Sequence, residues 1–220
     1  LVQAEGEQAA ERFTQTLQTF IPRVEQAVEQ TVRRVFYEEK VPASEKIVSL
    51  FEPHTAIIRR QKAGKPVEFG RKVWLDEVDG GIVTRWSILE GNPPDKDQWQ
   101  PAINYHIATF GKPPDLASAD RGLDSPDNEA YAREQGVKRV ILPKRGRKSE
   151  NRRAYEAQSW FRRGRRLQAG IEGRISVLKR KHGLDRCLDH GDDGFEKWVG
   201  WGVITGNLAV MGRALAAKAA

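Results

Sequence analysis

The stretch Lys72-Val73-Trp74-Leu75-Asp76-Glu77-Val78-Asp79-Gly80-Gly81-Ile82-Val83-Thr84-Arg85-Trp86-Ser87-Ile88-Leu89 decides the fold class. Its first half alternates, with Val73, Leu75 and Glu77 on one face, as a half-buried strand does. Asp79-Gly80-Gly81 reads as a hairpin turn, because glycine supplies the positive φ such turns need. The chain returns as a partner strand to Leu89, and Glu90-Gly91-Asn92-Pro93-Pro94 breaks it. Upstream, residues 47–51 form a short apolar run, expected as a first strand. Downstream, residues 97–110 have a helical pattern, and residues 116–119 predict a short buried strand ending at Asp120. A helix is expected at 125–135, with Ser125 as its capping residue and Pro126 at its first position. Residues 137–142 predict another strand, stopped by Pro143. A helix at 149–182 then ends at Gly183, and a last helix covers 194–217. Consecutive strands with a hairpin, followed by alternating strands and helices, predict an α/β mixed sheet flanked by helices.

Ahead of this pattern, Phe13, Leu17, Phe20, Val24, Ala27, Val28, Val32 and Val35 recur at three- and four-residue steps, so residues 8–37 predict a helix. Pro22 is expected to kink or split it. The organisation is thus a helical N-terminal extension at 1–43 and an α/β domain at 44–220.

A chain of 220 residues can bury a real core, and its 39% hydrophobic and 30% charged residues are ordinary for a globular protein. Cys187 is the only cysteine, which excludes an internal disulfide and fits a reducing, cytoplasmic compartment. The N-terminus lacks the basic-then-apolar pattern of a signal peptide, and its opening on Leu1 suggests a fragment of something longer. Residues 198–217 are apolar enough to raise a transmembrane reading. Asn207, Arg213 and four glycines in that stretch favour instead a helix packed closely on its neighbours, with no membrane involved.

Charge is concentrated. Between Lys138 and Lys181 there are 16 Lys and Arg against Glu150, Glu156 and Glu172, so this segment carries +13 of a net +7 and the rest carries −6. Such a block is an electrostatic footprint for phosphate backbones; the plain alternative is a solvated basic helix face. Within it, Arg165, Gln168, Glu172 and Lys179 fall along one helical stripe, with Ile171, Ile175 and Leu178 on the neighbouring one. Glu172 is either a functional acid at the rim of a helix–sheet contact or an offset to local positive charge. Asp120, at the end of a buried strand, stands where ligands bind in open α/β sheets, or it only caps the next turn. His182, Cys187 and His190 match no common zinc spacing, and Lys144-Arg145-Gly146-Arg147-Lys148 is no phosphate-binding glycine loop.

Several segments, taken in order, carry a resemblance. Ala119-Asp120-Arg121-Gly122, with Ser125-Pro126-Asp127-Asn128-Glu129, resembles the second-aspartate motif of bacterial DDE insertion-sequence transposases. The run from Gly170 to Leu184 resembles their glutamate helix. Glu68-Phe69-Gly70-Arg71-Lys72-Val73, Gly91-Asn92-Pro93 and the stretch from Gly194 to Gly202 are also similar to segments of these enzymes. The resemblance spans residues 46–213. It implies an RNase H-like core and three carboxylates binding two Mg²⁺ (or Mn²⁺) ions for cutting and joining DNA. It implies Asp120 and Glu172 as two of those acids. Glu52 is the best positional match for the first, with His54 nearby and Asp76 and Asp79 as later alternatives. Lys179, Arg165, Arg166, Arg174 and Arg180 are the implied DNA contacts. Gln168 stands where related transposases often carry an arginine. The implied partners are DNA element ends and target, with a homodimer in the DNA complex near the bacterial nucleoid, and a further DNA-end-reading region outside this chain. The alternative is a degenerate, non-catalytic nucleic-acid-binding remnant of such an enzyme.

Overall fold

The computed structural model describes residues 2–59, 64 and 66–219, so Leu1 lies outside the described residues. The chain divides into two compact units, one of residues 1–72 and 89–92, the other of residues 73–88 and 93–220.

The first unit begins with α1 (Val2–Val35). Pro22 lies inside it, and the helix is continuous through that position rather than split. A short 3-10 turn at Ala43–Glu45 follows, then β1 (Ala56–Arg59) and β2 (Val67–Gly70), which pair antiparallel with Ala56 opposite Gly70 and Arg59 opposite Val67. The strand expected at 47–51 does not form. Side chains of α1 take its backbone groups instead: Gln30 donates to Ile47 O (2.9 Å) and accepts from Ile47 N (3.0 Å), and Arg23 donates to Leu50 O (2.7 Å). A segment whose ladder groups are already satisfied in this way has no call for a neighbouring strand.

In the second unit, β3 (Lys72–Val78) and β4 (Ile82–Leu89) form the expected hairpin, their outermost residues counting with the first unit. Gly81 N donates to Val78 O (3.1 Å), and Gly80 and Gly81 have φ of 85° and 81°. These are the left-handed values of a two-glycine hairpin turn. A 3-10 turn at Asp95–Gln98 leads into α2 (Trp99–Phe110). Next come β5 (Leu116–Ser118), α3 (Pro126–Glu134) and β6 (Arg139–Ile141). β5 and β6 are parallel, with Ala117 opposite Val140, so α3 is a crossover helix. Ser125 precedes α3 without a side-chain capping bond, contrary to expectation, while Pro126 does open the helix. Among the described residues the strands pair in three two-stranded ladders.

The helix expected over 149–182 is two helices, α4 (Glu150–Ala157) and α5 (Ser159–Lys181). Gln158 between them is extended (φ −60°, ψ 142°), and the break turns the fully buried Phe161 inward against Tyr155. Gly183, with φ of 76°, follows α5 as expected. The last helix is α6 (Gly191–Ala219).

Two apolar clusters hold this unit. Trp99, Ile103, Leu123, Ala132, Val137, Val140 and Leu142 form one, with Trp74 of β3 and Ala117 and Ala119 packed on it. The other joins Val73, Leu75, Val83 and Trp86 of the hairpin to Val199 and Val203 of α6. Alternation on β3 therefore sends Val73 and Leu75 to α6 and Trp74 to the β5–β6 core. The α6 amide of Asn207 pairs with both backbone groups of Val83, accepting at 2.9 Å and donating at 2.8 Å, as a neighbouring strand would. The glycines of α6 do allow close packing: a Cβ on Gly202 would come within 2.5 Å of Leu184 and one on Gly206 within 2.6 Å of Leu178. No helix among the described residues is long and apolar enough to cross a membrane.

The tightest approach is that of α5 to the parallel strands. A Cβ on Gly164 would sit 1.8 Å from Ile141 Cδ1 and 3.5 Å from Leu116 Cδ1, in a region where Ile141 is fully buried. Replacing Gly164 by alanine is expected to destabilise the fold by about 1–3 kcal/mol, the usual cost of overpacking. Removing the offending methyl with Ile141→Val in the same chain should recover part of that loss. Chemical denaturation of both variants checks it, and a neutral Gly164→Ala would show that α5 does not sit this close.

Candidate functional site

Two contacts fix how α5 runs along β5. Ser118 Oγ donates to Gly164 O (3.2 Å). One turn on, the Gln168 side chain brackets the end of the strand, its Nε2 donating to Ala119 O and its Oε1 accepting from Asp120 N, both at 2.8 Å in the orientation that satisfies both groups. Four helical residues rise ~6 Å and two strand residues ~6.6 Å, so helix and strand keep step. The next turn of α5, which carries Glu172, therefore lies beyond the C-terminal end of β5, level with the turn that follows Asp120. Both acids expected from the sequence thus stand at the same end of the parallel pair, and both are exposed.

In this state the Asp120 carboxylate caps the 3-10 turn Arg121–Leu123, accepting from Gly122 N. A Cβ at Gly122 would be 2.7 Å from Asp120 Oδ1 and 3.5 Å from the Arg145 guanidinium, so that position must be small for the loop to close over the carboxylate. Arg145 N donates to Asp124 Oδ2 (3.0 Å), tying the 144–148 loop to the same turn.

A third acid in this unit is less exposed. Asp76 is on β3, on the face that Trp74 presents to the β5–β6 core. Trp74 Nε1 donates to its Oδ1 (2.6 Å), and Arg85 Nη1 lies 3.3 Å from Oδ2. Burial raises its pKa above the ordinary aspartate value, more than Trp74 and Arg85 lower it. His106 on α2 also faces this carboxylate. Burial lowers the imidazole's pKa, against the pull of Asp76. The sequence offered Asp76 only as an alternative; the signal for it was its place two residues from Trp74 on an alternating strand.

The remaining expected residues are distributed as follows. Glu52 belongs to the first unit, where its Oε2 is 2.7 Å from His54 Nε2 and its backbone N–H donates to Ser49 Oγ (3.0 Å). Arg165, Arg166, Lys179 and Arg180 are exposed on α5. Arg174 is not: it is turned to the hairpin, 3.4 Å from Glu77 and lying over Gly81, so a contact to DNA would compete with that ion pair. The inward face of α5 keeps Ile171 and Leu178 of the apolar stripe expected but not Ile175, which is 39% exposed; Phe161, Gly164, Gln168 and Arg174 are also buried or half-buried there.

A polar network that was not singled out from the sequence lies beneath the basic segment. Arg152 donates to Glu156 (3.0 Å), Glu129 (2.7 Å) and Leu142 O, and Lys148 pairs with the other oxygen of Glu156. Arg133 bridges Glu129 and the Tyr155 hydroxyl. Burial alone would raise both glutamates, but hydrogen bonds from Lys148, Lys144 N and Arg152 to Glu156, and from Arg133 and Arg152 to Glu129, hold both below the ordinary range. These acids are structural. Their i,i+4 partners Glu129/Arg133 and Arg152/Glu156 were visible in the sequence as spacings.

Among the described residues no three His, Cys, Asp or Glu side chains lie close enough together to hold a metal ion, and this includes His182, Cys187 and His190. No family model, curated protein or solved structure matches the chain.

Asp76 has a testable energetic signature. A carboxyl whose pKa is raised on folding stabilises most when protonated, and that contribution is lost as pH rises through the folded value. At neutral pH its charge is therefore a cost, and Asp76→Asn is expected to raise the melting temperature by a few degrees at pH 7. The advantage should shrink as pH falls toward the ordinary aspartate value of 3.8. Calorimetry of both proteins across that range checks it. Destabilisation by the asparagine at pH 7 would mean that the pairing with Arg85 outweighs burial.

Proposed function

We propose that the chain is the catalytic part of a DDE-type DNA transposase, an RNase H-like α/β domain that cuts and joins DNA strands by metal-dependent phosphoryl transfer. The supporting observation is the register of α5 on β5, fixed by Gly164 and Gln168, which puts Asp120 and Glu172 at one end of a parallel strand pair. That is where open α/β sheets bind ligands, and these are the two residues on which the sequence resemblance rests.

The described side chains do not gather three metal ligands. Mg²⁺ commonly takes one or two protein carboxylates and fills its shell with water and substrate phosphate oxygens. Asp120 and Glu172 would therefore hold such an ion only together with DNA, and the ion would neutralise charge on the phosphate under attack. For the first acid we favour Asp76 over Glu52, because it belongs to the same unit as Asp120 and Glu172 and because burial makes its charge costly, a cost that a bound cation would relieve. The chain's own residues then have separate tasks. Gln168 fixes the backbone that carries Asp120. Arg165, Arg166, Lys179 and Arg180 on the open face of α5 hold the DNA backbone without reading its sequence. Element ends and target DNA are the substrates, bound in the bacterial cytoplasm by a homodimer.

The test is Mn²⁺-dependent cleavage of DNA carrying the element ends. Asp120→Ala and Glu172→Gln should each lose activity beyond the ~10–100-fold that outer-shell changes around a metal cost. Asp76→Asn should lose as much and Glu52→Gln little; the reverse result assigns the first acid to Glu52. Equal cleavage by the intact chain and Asp120→Ala would sink the catalytic assignment. DNA binding without any cleavage by the intact chain would favour the non-catalytic remnant. Changing Arg165 and Arg166 to alanine should flatten the plot of log affinity against log salt by about 0.9 per lost phosphate contact.

A further inference from the structure

A hollow of about 380 Å³ is walled by the indoles of Trp86 on β4 and Trp201 on α6, with Gly200 and Ile204 also in its lining. One glycine gives it this shape. A Cβ on Gly200 would come within 3.1 Å of Trp86 Cζ2, so its absence lets that indole lie against the α6 backbone. Trp201 is the next residue, ~100° further round the helix. The two rings have different duties. Trp86 packs with Val83, Val199 and Val203, whereas Trp201 belongs to neither apolar cluster and is 68% exposed. The hollow also has charged walls: Asp193, Glu196 and Lys197, from the first turns of α6, line it. Among the described residues, neither carboxylate has an ion pair or a hydrogen bond, with Lys197 or with any other group. The wider setting is acidic. Directly after the basic block that ends at Lys181, residues 182–197 hold five acids against Arg186 and Lys197, a charge of −3 in a chain of +7. Such a field repels a phosphate backbone and draws in a cation.

We propose that this hollow docks a segment of another protein, anchored by one arginine side chain between Trp86 and Trp201. The chemistry of the walls selects that residue. A guanidinium stacks on indole faces and also donates in a planar fork to carboxylates. An aliphatic anchor would leave Asp193 and Glu196 unused, and a nucleobase would gain nothing from them. The surface beyond the hollow selects a peptide over a free cation. Ile204, Leu208 and Met211 follow at steps of four and three residues and are 48, 61 and 52% exposed, an apolar track for the residues that accompany the arginine. Lys197 acts against the anchor. Its ammonium shares the hollow with the two acids, leaving one net negative charge there, so it weakens the site and its removal strengthens it. This assignment stands independently of the DNA reading.

The probe is a short amphipathic peptide with one arginine ahead of an aliphatic stripe, compared with the same peptide carrying citrulline, the neutral isostere. Added to the full chain, the arginine peptide should move the indole N–H resonances of Trp86 and Trp201 among the six tryptophans. It should bind about 10-fold or more tightly than the citrulline peptide. Trp201→Ala should remove that preference with an unchanged circular-dichroism spectrum, and Trp201→Phe, a weaker ring for cations, should fall between. Lys197→Gln should tighten binding by about 2- to 5-fold, whereas Asp193→Asn with Glu196→Gln should weaken it by at least as much. The Lys197 measurement does not depend on how the tryptophan variants fold. Equal binding of the two peptides, binding of neither, or weaker binding by Lys197→Gln overturns the proposal. So does saturation of the same two resonances by spermidine as readily as by the peptide, which would mean a small-cation site, and so does their response to duplex DNA in place of the peptide.

Discussion

The close seat of α5 on the β5–β6 pair is the constraint from which the rest of the second unit follows. A helix on a sheet normally stands off by the width of its side chains. Here the missing Cβ of Gly164 lets the helix backbone down onto Ile141 and Leu116. Only at that distance can Ser118 reach the helix carbonyl of Gly164 and the short amide of Gln168 reach the backbone on both sides of the Ala119–Asp120 bond. The strand end is thereby held by a helix side chain as well as by its neighbour strand. Helix and strand then advance in step, and that brings Glu172 to the level of Asp120.

Gln168 also accounts for a departure that the sequence alone leaves open. At this position the chain has a residue that both donates and accepts. An arginine could not accept from Asp120 N, because the guanidinium has donors only. Glutamine thus supplies a clamp on the backbone of the acid that a cation could not.

Much of this was legible beforehand, and the failures share a cause. The hairpin, the parallel strand pair, α3 and α6 all announce themselves through local signals: two adjacent glycines, short β-branched runs, a proline at a helix start, a long apolar periodicity. What was misread depended on partners distant in sequence. Residues 47–51 carry strand-like residues but spend their backbone groups on Gln30 and Arg23 of α1. Gln158 is an unremarkable residue in a helical pattern, extended because Phe161 must reach the core. The inward face of α5 interleaves Gly164, Gln168 and Arg174 with Ile171 and Leu178, so apolar periodicity shows only part of it. For the site, position on the strand end was readable for Asp120. The environment of Asp76 was not, since Arg85, Trp74 and His106 converge on it only through the hairpin and α2.

The charge block between Lys138 and Lys181 needs the same correction, and it changes what the block can do. Counted along the sequence, all its cations are equivalent. In the fold, Arg152 and Lys148 neutralise the buried Glu156, Arg174 pairs with Glu77, and Lys138 pairs with Asp115. The charges of Arg152, Lys148 and Arg174 hold α4, α5 and the hairpin together and are not offered to a polyanion, while the Lys138–Asp115 pair is exposed. Arg165, Arg166, Lys179 and Arg180 remain outward on one helix. Their spacing along α5 brackets Glu172, so on the proposed function a phosphate backbone held by them would pass the end of β5 where Asp120 sits. Attraction to DNA and placement of the acids would then be two consequences of one helix, with the packing at Gly164 governing both.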